Sequence, residues 1–323
     1  MTSLYPLRFR PLTKRAIWGG RRLKTVLGKD LPAGDDFAES WEICDRAGDQ
    51  SVVAAGPLAG TSLGELVRER GRELLGRHHP QARFPLLVKF IDARRDLSVQ
   101  VHPDDRRAAR LTPPDLGKTE AWVVMDAELG SRIYAGLAAG HDQASLEQLV
   151  AEGNCEQALH AFEPRVGDCI FLPAGTIHAI GAGLLVAEIQ QSSDVTYRLY
   201  DWNRLGADGK PRQLHLSEAL EAIDYSAGPV VPQLAEPTAS PGMLRLIACD
   251  KFILEQRHVA QPSVCEDRGT ARILIGLDGA VGVAGDADSK PLRRGETLLL
   301  PASLGPVELT PDPTATFLFA YLP

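Results

Sequence analysis

Short strand-like segments, a few alternating with a period of two and most of them continuous apolar runs, recur along this chain, and the helical period of about 3.6 surfaces only in short stretches. Phe37 to Cys44, Phe-Ala-Glu-Ser-Trp-Glu-Ile-Cys, alternates as a strand. Residues 1 to 20 carry Pro6, Pro11 and Trp18-Gly19-Gly20, which suits an extended segment laid along a barrel edge, because proline cannot donate into a ladder. Leu86 to Ile91, Leu97 to Val101, Ala121 to Met125, Val166 to Pro173, Ile177 to Ile180 and Leu184 to Gln190 are further short apolar strands, and Asp104 to Leu116 is a long inserted loop. Between Thr61 and Gly76 the period becomes helical. Ser62 and Glu65 fit a capping box, Leu63, Leu66, Val67 and Leu74 share a face, and Gly76 ends the helix. Two more short helices are expected at Ser145 to Gly153 and Asn154 to Phe162, each opened by a capping residue with Gln three positions later, and a fourth near Ser217, where Leu216, Ala219, Leu220 and Ile223 make a stripe. Four prolines in Pro229 to Pro241 read as a linker and set a boundary near residue 235, between units 1–235 and 236–323. Beyond it Cys249 to His258, Ala271 to Leu277, Gly282 to Ala284, Glu296 to Leu300 and Thr316 to Leu322 are evenly spaced short strands of a sandwich or barrel. The fold class is mainly β with a few short peripheral helices.

Composition narrows the function classes. A chain of 323 residues suits two domains of about 150 residues each, and 44% apolar content fills ordinary cores. A formal charge of −7 without a cluster of Lys and Arg argues against nucleic acid as a partner. Five cysteines without C-x-x-C spacing read as reduced structural thiols. The N-terminus has no apolar leader core, and no apolar run approaches the ~20 residues needed to span a bilayer, so no membrane partner is expected and the cytoplasm is the expected compartment.

The candidate chemistry lies in the first unit. Gly167-Asp-Cys-Ile-Phe-Leu-Pro173-Ala-Gly175-Thr-Ile-His178 is a turn, a strand and a second turn that delivers His178 at the start of the next strand. Upstream, Ser98-Val-Gln100-Val-His102 puts Ser98, Gln100 and His102 on one strand face, and Gly117-Lys118-Thr-Glu120 adds a carboxylate. Two imidazoles, a carboxylate and an amide oxygen can then converge on a metal ion. Gly295-Glu-Thr-Leu-Leu-Leu-Pro301-Ala-Ser303 repeats the Gly167 to Gly175 spacing with no histidine three residues on, so the second unit reads as a related barrel without metal ligands.

The glycine-proline-glycine-histidine motif, paired with the histidine-bearing strand and a glutamate, resembles the two cupin motifs and implies double-stranded β-helix barrels, one per unit. Seventeen residues separate His102 from Glu120, more than in a generic cupin. Taken in order, Trp18-Gly-Gly20, Ala38-Glu-Ser-Trp-Glu42, Ser98-Val-Gln-Val-His102-Pro, Gly117-Lys-Thr-Glu120, Pro173-Ala-Gly-Thr-Ile-His178 and Glu188 through Arg198 resemble the type I mannose-6-phosphate isomerase family in its short bacterial form. The resemblance implies zinc held by Gln100, His102, Glu120 and His178, Arg198 as an active-site residue, and a sugar phosphate as the small-molecule substrate. Zinc accepts imidazole nitrogen and carboxylate oxygen. Gln100 is the weakest donor and could instead brace a neighbouring ligand or sit on the strand surface.

Aldose to ketose isomerisation moves a proton between C2 and C1 through an enediol, which requires a base, stabilisation of an oxyanion and a phosphate anchor. Lys118, two residues from Glu120, could stabilise the enediolate or bind phosphate. Arg198 suits either a phosphate dianion or the developing oxyanion, and Ser98 could hydrogen-bond the phosphate. Glu188, at even spacing from His178, is the candidate base, with a structural ion pair to Arg198 or Lys118 as the other role. Asp194 is an orienting candidate. The remaining readings are a metal-dependent isomerase for another sugar phosphate and a non-catalytic sugar-phosphate-binding cupin.

Overall fold

The computed structural model describes residues 3–206 and 209–323, so Met1 and Thr2 of the N-terminal stretch lie outside the described residues. Strands occupy 39% of the chain and helices 15%, which makes the fold mainly β. Two antiparallel sheets carry the first part. In one, Leu159–Phe162, Ile133–Leu137, His178–Ile180, Val99–Val101 and Tyr197–Tyr200 lie side by side in that order. In the other the order is Cys169–Leu172, Glu120–Ala127, Leu184–Gln191, Leu86–Ala93, Phe37–Ile43 and Leu12–Gly20, with the proline-flanked N-terminal strand on the edge.

The strands Leu86–Ala93 and Leu184–Gln191 are buried at every position. Their alternation explains why. Val88, Phe90, Leu185, Ala187 and Ile189 pack into a core shared with Leu254, Ile273 and Leu318 of the C-terminal part. Ile91, Leu184 and Val186 instead meet Ile133, Ala135 and Ile180 of the five-stranded sheet. Side chains of successive residues leave opposite faces, so Lys89 and Glu188 share the face that looks toward the five-stranded sheet.

The eight-stranded C-terminal sheet runs Glu236–Pro237, Met243–Ala248, Ile253–Val259, Val307–Tyr321, Arg272–Val283 and Leu292–Arg293, with Ser263–Cys265 also paired to Val307–Tyr321 and Thr297–Leu300 to Arg272–Val283. The N-terminal segment reaches it: Leu7 and Leu299 exchange backbone hydrogen bonds of 2.8 and 2.9 Å, and Arg8 pairs with Asp286 at 2.8 Å. The proline-rich stretch is anchored by Val230 N to Ala135 O at 3.0 Å and Gln233 N to Cys169 O at 2.7 Å before it enters this sheet at Glu236.

Helix Leu63–Leu75 carries both halves of the expected capping box, worth about 1 kcal/mol, buries Leu63, Leu66, Val67 and Leu74, and ends at Gly76 with φ of 59°. Three expectations need correction. The helix expected from Ser145 spans Gln143–Glu152: Asp142 is its cap and Ser145 returns the bond. Asn154 to Phe162 is not a helix but one 3-10 turn, Cys155–Ala158, followed by strand Leu159–Phe162, because pairing with the edge at Ile133–Leu137 outweighs the local capping signal. The loop from Asp104 to Leu116 contains the one-turn helix Asp105–Ala108, capped by Asp104. The helix near Ser217 spans Leu216–Ala222. Cys44, Cys155, Cys169 and Cys265 are buried thiols.

Candidate metal centre and active-site cavity

Strand Val99–Val101 sends Val99 and Val101 into the core and turns Gln100 the other way, with Ser98 and His102 flanking it on the same side. Gln100 is the register partner of His178 on one neighbouring strand and of Arg198 on the other. The turn before His178 depends on Gly175, whose φ of 91° favours glycine and whose N donates to His102 O at 2.9 Å. His102 donates from Nδ1 to Val195 O at 2.8 Å and His178 from Nδ1 to Thr176 O at 2.9 Å. Both Nε2 atoms are thereby left facing inward as lone-pair donors.

Glu120 arrives from the six-stranded sheet, its Oε1 3.3 Å from His178 Nε2 and its Oε2 3.5 Å from His102 Nε2. One ligand atom from each of these three buried residues lies within 4.8 Å of the others, so the group could hold a metal ion. Gln100 places its amide 3.3 Å from His178 Nε2. Half a turn about the last side-chain bond exchanges the amide nitrogen for oxygen. Burial and the Lys118 ammonium push His178 down to about 4, and burial, then Lys118, hold His102 well below its ordinary value. Burial and the Glu188 charge raise Glu120, whose Oε1 has no hydrogen-bond partner among the described residues. A divalent cation fits this set: neutral imidazoles bind metal, and an orphaned buried carboxylate oxygen lacks the partner that a cation supplies.

A cavity of about 380 Å³ opens beside this group, lined among others by Lys89, Ser98, Gln100, Lys118, Glu188 and Arg198. Lys118 bonds Glu120 Oε2 and lies 3.0 Å from His102 Nε2 and 3.4 Å from Glu188 Oε1. Glu188 also meets Lys89 Nζ at 3.2 Å and accepts from Trp122 Nε1 at 2.9 Å. Burial alone would raise the Glu188 carboxyl, but Lys118 and Lys89 more than offset it, so Glu188 is ionised. Lys89 is shared with Glu39 at 3.3 Å. Arg198 donates from Nε to Ser98 Oγ at 3.3 Å and from Nη1 to Gln213 O at 2.8 Å. Among the described residues no carboxylate comes within the 4.0 Å of an ion pair with Arg198, whereas Arg204 and Arg212 both close on Asp201. A guanidinium that lacks a carboxylate partner at a cavity wall suits an anion.

Ser98, Gln100, Lys118, Glu188 and Arg198 thus line one cavity, His102, Glu120 and His178 lie directly behind Gln100 and Lys118, and Asp194 stands exposed at the cavity edge. The even spacing from His178 to Glu188 is not what joins them. Gly181-Ala-Gly183 carries the chain from one sheet to the other, and the two side chains approach from facing sheets. The ion partners of Glu188 are Lys89 and Lys118, not Arg198. Lys89, Trp122 and Glu39 escaped the sequence reading. Lys89 had a signal, a lone charge in the apolar run Leu-Leu-Val-Lys-Phe-Ile; Trp122 and Glu39 had none beyond lying in strands.

The sequence matches the description "phosphomannose isomerase type I, catalytic domain" over residues 7–124. It is 34% identical over 311 residues to the mannose-6-phosphate isomerase ManA of Bacillus subtilis, covering 94% of this chain and 95% of that protein. It is 33% identical over 308 residues to mannose-6-phosphate isomerase of Streptococcus mutans, covering 93% of each. The crystal structure of mannose 6-phosphate isomerase from Bacillus subtilis superposes with a TM-score of 0.89 at 30% identity, over 99% of this chain and 100% of that one.

Proposed function

The chain belongs to the type I phosphomannose isomerase family of aldose–ketose isomerases, and from that membership and the site geometry we propose that it interconverts D-mannose 6-phosphate and D-fructose 6-phosphate through an enediol, with zinc as its metal. The observation that carries the proposal is the cluster of His102, Glu120 and His178 beside a cavity lined by an ionised, lysine-flanked glutamate. Gln100, His102, Glu120 and His178 would hold the ion, which when bound supplies Lewis-acid polarisation of a substrate oxygen.

The remaining steps belong to this chain's own side chains. Glu188 takes the proton from C2 of the aldose and returns it to C1, while the hydroxyl proton passes from O2 to O1. Two ammoniums make Glu188 a weak base at rest. A substrate oxygen that draws Lys118 away removes one of them, and the basicity of Glu188 rises as the enediolate forms. Lys118 meanwhile balances the charge developing on that oxygen. Arg198 and Ser98 hold the phosphate, and buried walls exclude water from the enediol. We infer further that each of the units 1–235 and 236–323 is a cupin-type barrel, the second without ligands, and that the enzyme works in the cytoplasm on a small sugar phosphate, with neither nucleic acid nor membrane as partner.

The test is conversion of mannose 6-phosphate by the purified chain, before and after exhaustive chelation, with zinc added back and glucose 6-phosphate as control. Turnover lost on chelation and restored by zinc is expected. No turnover of mannose 6-phosphate with any metal refutes the assignment, and equal turnover of glucose 6-phosphate refutes its sugar specificity.

A further inference from the structure

Asp105 opens the one-turn helix inside the loop that joins His102 to Lys118, and its two carboxylate oxygens serve different parts of the molecule. Oδ1 accepts from Gly117 N at 2.8 Å and from Gln191 Nε2 at 2.9 Å. Oδ2 meets Lys251 Nζ at 2.8 Å. Lys251 stands in the turn between Met243–Ala248 and Ile253–Val259, in the C-terminal sheet that contributes nothing to the cavity wall. Gln191 passes the contact on: its Oε1 accepts from Thr119 N at 3.0 Å and its own N donates to Thr119 O at 3.2 Å. The residues on either side of Lys118 therefore both end on Asp105, one directly and one through Gln191.

The approach is tight. A Cβ on Gly117 would stand 2.4 Å from Asp105 N and 2.6 Å from Asp104 C, so the chain lies against the helix with room for glycine alone. Lys118 itself is fixed by Lys118 N to Pro103 O at 3.0 Å, and Thr119 Oγ1 accepts from Ala174 N at 3.2 Å in the turn that delivers His178. Asp105 is the point at which this set of bonds is tied to the C-terminal sheet.

We propose that Asp105 is a positioning residue for the isomerisation: braced by Lys251, it sets the depth at which Lys118 and Glu120 enter the cavity, and so gives the C-terminal sheet a part in the chemistry. The inference rests on the function proposed above. Asp105→Asn keeps an oxygen for Gly117 and loses the charge that faces Lys251, Asp105→Ala removes both, and Lys251→Met removes the brace alone.

The three variants of the full, zinc-loaded chain are compared for kcat and KM on mannose 6-phosphate, for amide exchange at Gly117, and for thermal midpoint. Asp105→Ala is expected to lower kcat about tenfold with KM within about twofold of the parent, since a sub-ångström displacement of a catalytic group costs on that order. Exchange at Gly117 is expected to quicken, Asp105→Asn to recover kcat to within about threefold, and Lys251→Met, which keeps both bonds to Oδ1, to lose no more than Asp105→Asn. The proposal is overturned if Asp105→Ala keeps kcat within about twofold of the parent, if Asn fails to rescue a loss that tracks the thermal midpoint, or if Gly117 exchanges at the parent rate. Should the parent chain fail to turn over mannose 6-phosphate, the function itself falls, while exchange at Gly117 still decides whether Asp105 holds the segment.

Discussion

Replacing Glu188 by Gln removes one negative charge from a buried row and changes little else in shape. The carboxylate lies 3.2 Å from Lys89 and 3.4 Å from Lys118 and accepts from Trp122 Nε1 at 2.9 Å. At an effective dielectric constant of about 20, each of these ion contacts carries roughly 5 kcal/mol of attraction. Desolvation offsets much of that, and losing one partner of such a buried set costs about 3–5 kcal/mol. For a chain of 323 residues that is a fall in thermal midpoint of about 4–7 °C, easily seen by calorimetry. The amide oxygen can still accept from Trp122, so the fold is retained. Activity is expected to fall further than stability, because loss of a general base costs about 10²- to 10⁴-fold in kcat. Zinc content, which depends on groups on the other side of Lys118, is expected to stay at the parent level by atomic absorption. A Glu188→Gln variant that folds, holds zinc and turns over within about threefold of the parent would remove Glu188 from the mechanism.

Three further outcomes follow from the same geometry. Arg198→Met is expected to raise KM for mannose 6-phosphate about tenfold to hundredfold with a smaller effect on kcat, since a charge-assisted contact to phosphate is worth about 1.5–3 kcal/mol; a change confined to kcat would place Arg198 at the oxyanion instead. Lys89→Met leaves Glu188 with Lys118 alone, so its carboxyl rises and the acid limb of the kcat profile is expected to move to higher pH; an unmoved limb would sever Lys89 from the base. His178 is held down to about 4 against an ordinary 6.5, so between those values the unfolded chain binds a proton that the native chain does not. This group alone therefore contributes a loss of about 1.4 kcal/mol per unit as pH falls through that window in the chelator-treated protein, and a His178→Gln variant whose urea midpoints keep the parent's pH dependence would contradict a buried neutral His178.

Much of this architecture is legible in the sequence because local and tertiary signals agree. Ser62, Glu65 and Gly76 delimit a helix whose apolar face is also its buried face, and the period of two places Gln100 and His102 beside each other without knowledge of any partner strand. What could not be read is what depends on contacts made across the fold. Asn154 and Gln157 satisfy a helix start, yet the chain after Ala158 is claimed by the open edge of Ile133–Leu137. Lys89 sits in a strand that reads as core, and only the facing sheet turns its side of that strand into a polar cavity. Glu188 is singled out for a partly wrong reason: even spacing within one strand predicts what two facing sheets bring about.

The row His178, Gln100, Arg198 runs straight across three neighbouring strands. Adjacent strands lie about 4.8 Å apart, so the backbone holds His178 and Arg198 at roughly 10 Å, a distance set by hydrogen bonding between strands and not by loop length. The sheet thereby works as a ruler. Under the proposed roles, one end of the substrate would be measured from the histidine corner and its phosphate from the guanidinium, and a sugar phosphate one carbon shorter or longer would leave one mark or the other unmet. Insertions in surrounding loops can reshape the mouth without touching that length. A one-residue slip of strand Val99–Val101 would erase it altogether by turning Gln100 to the far face.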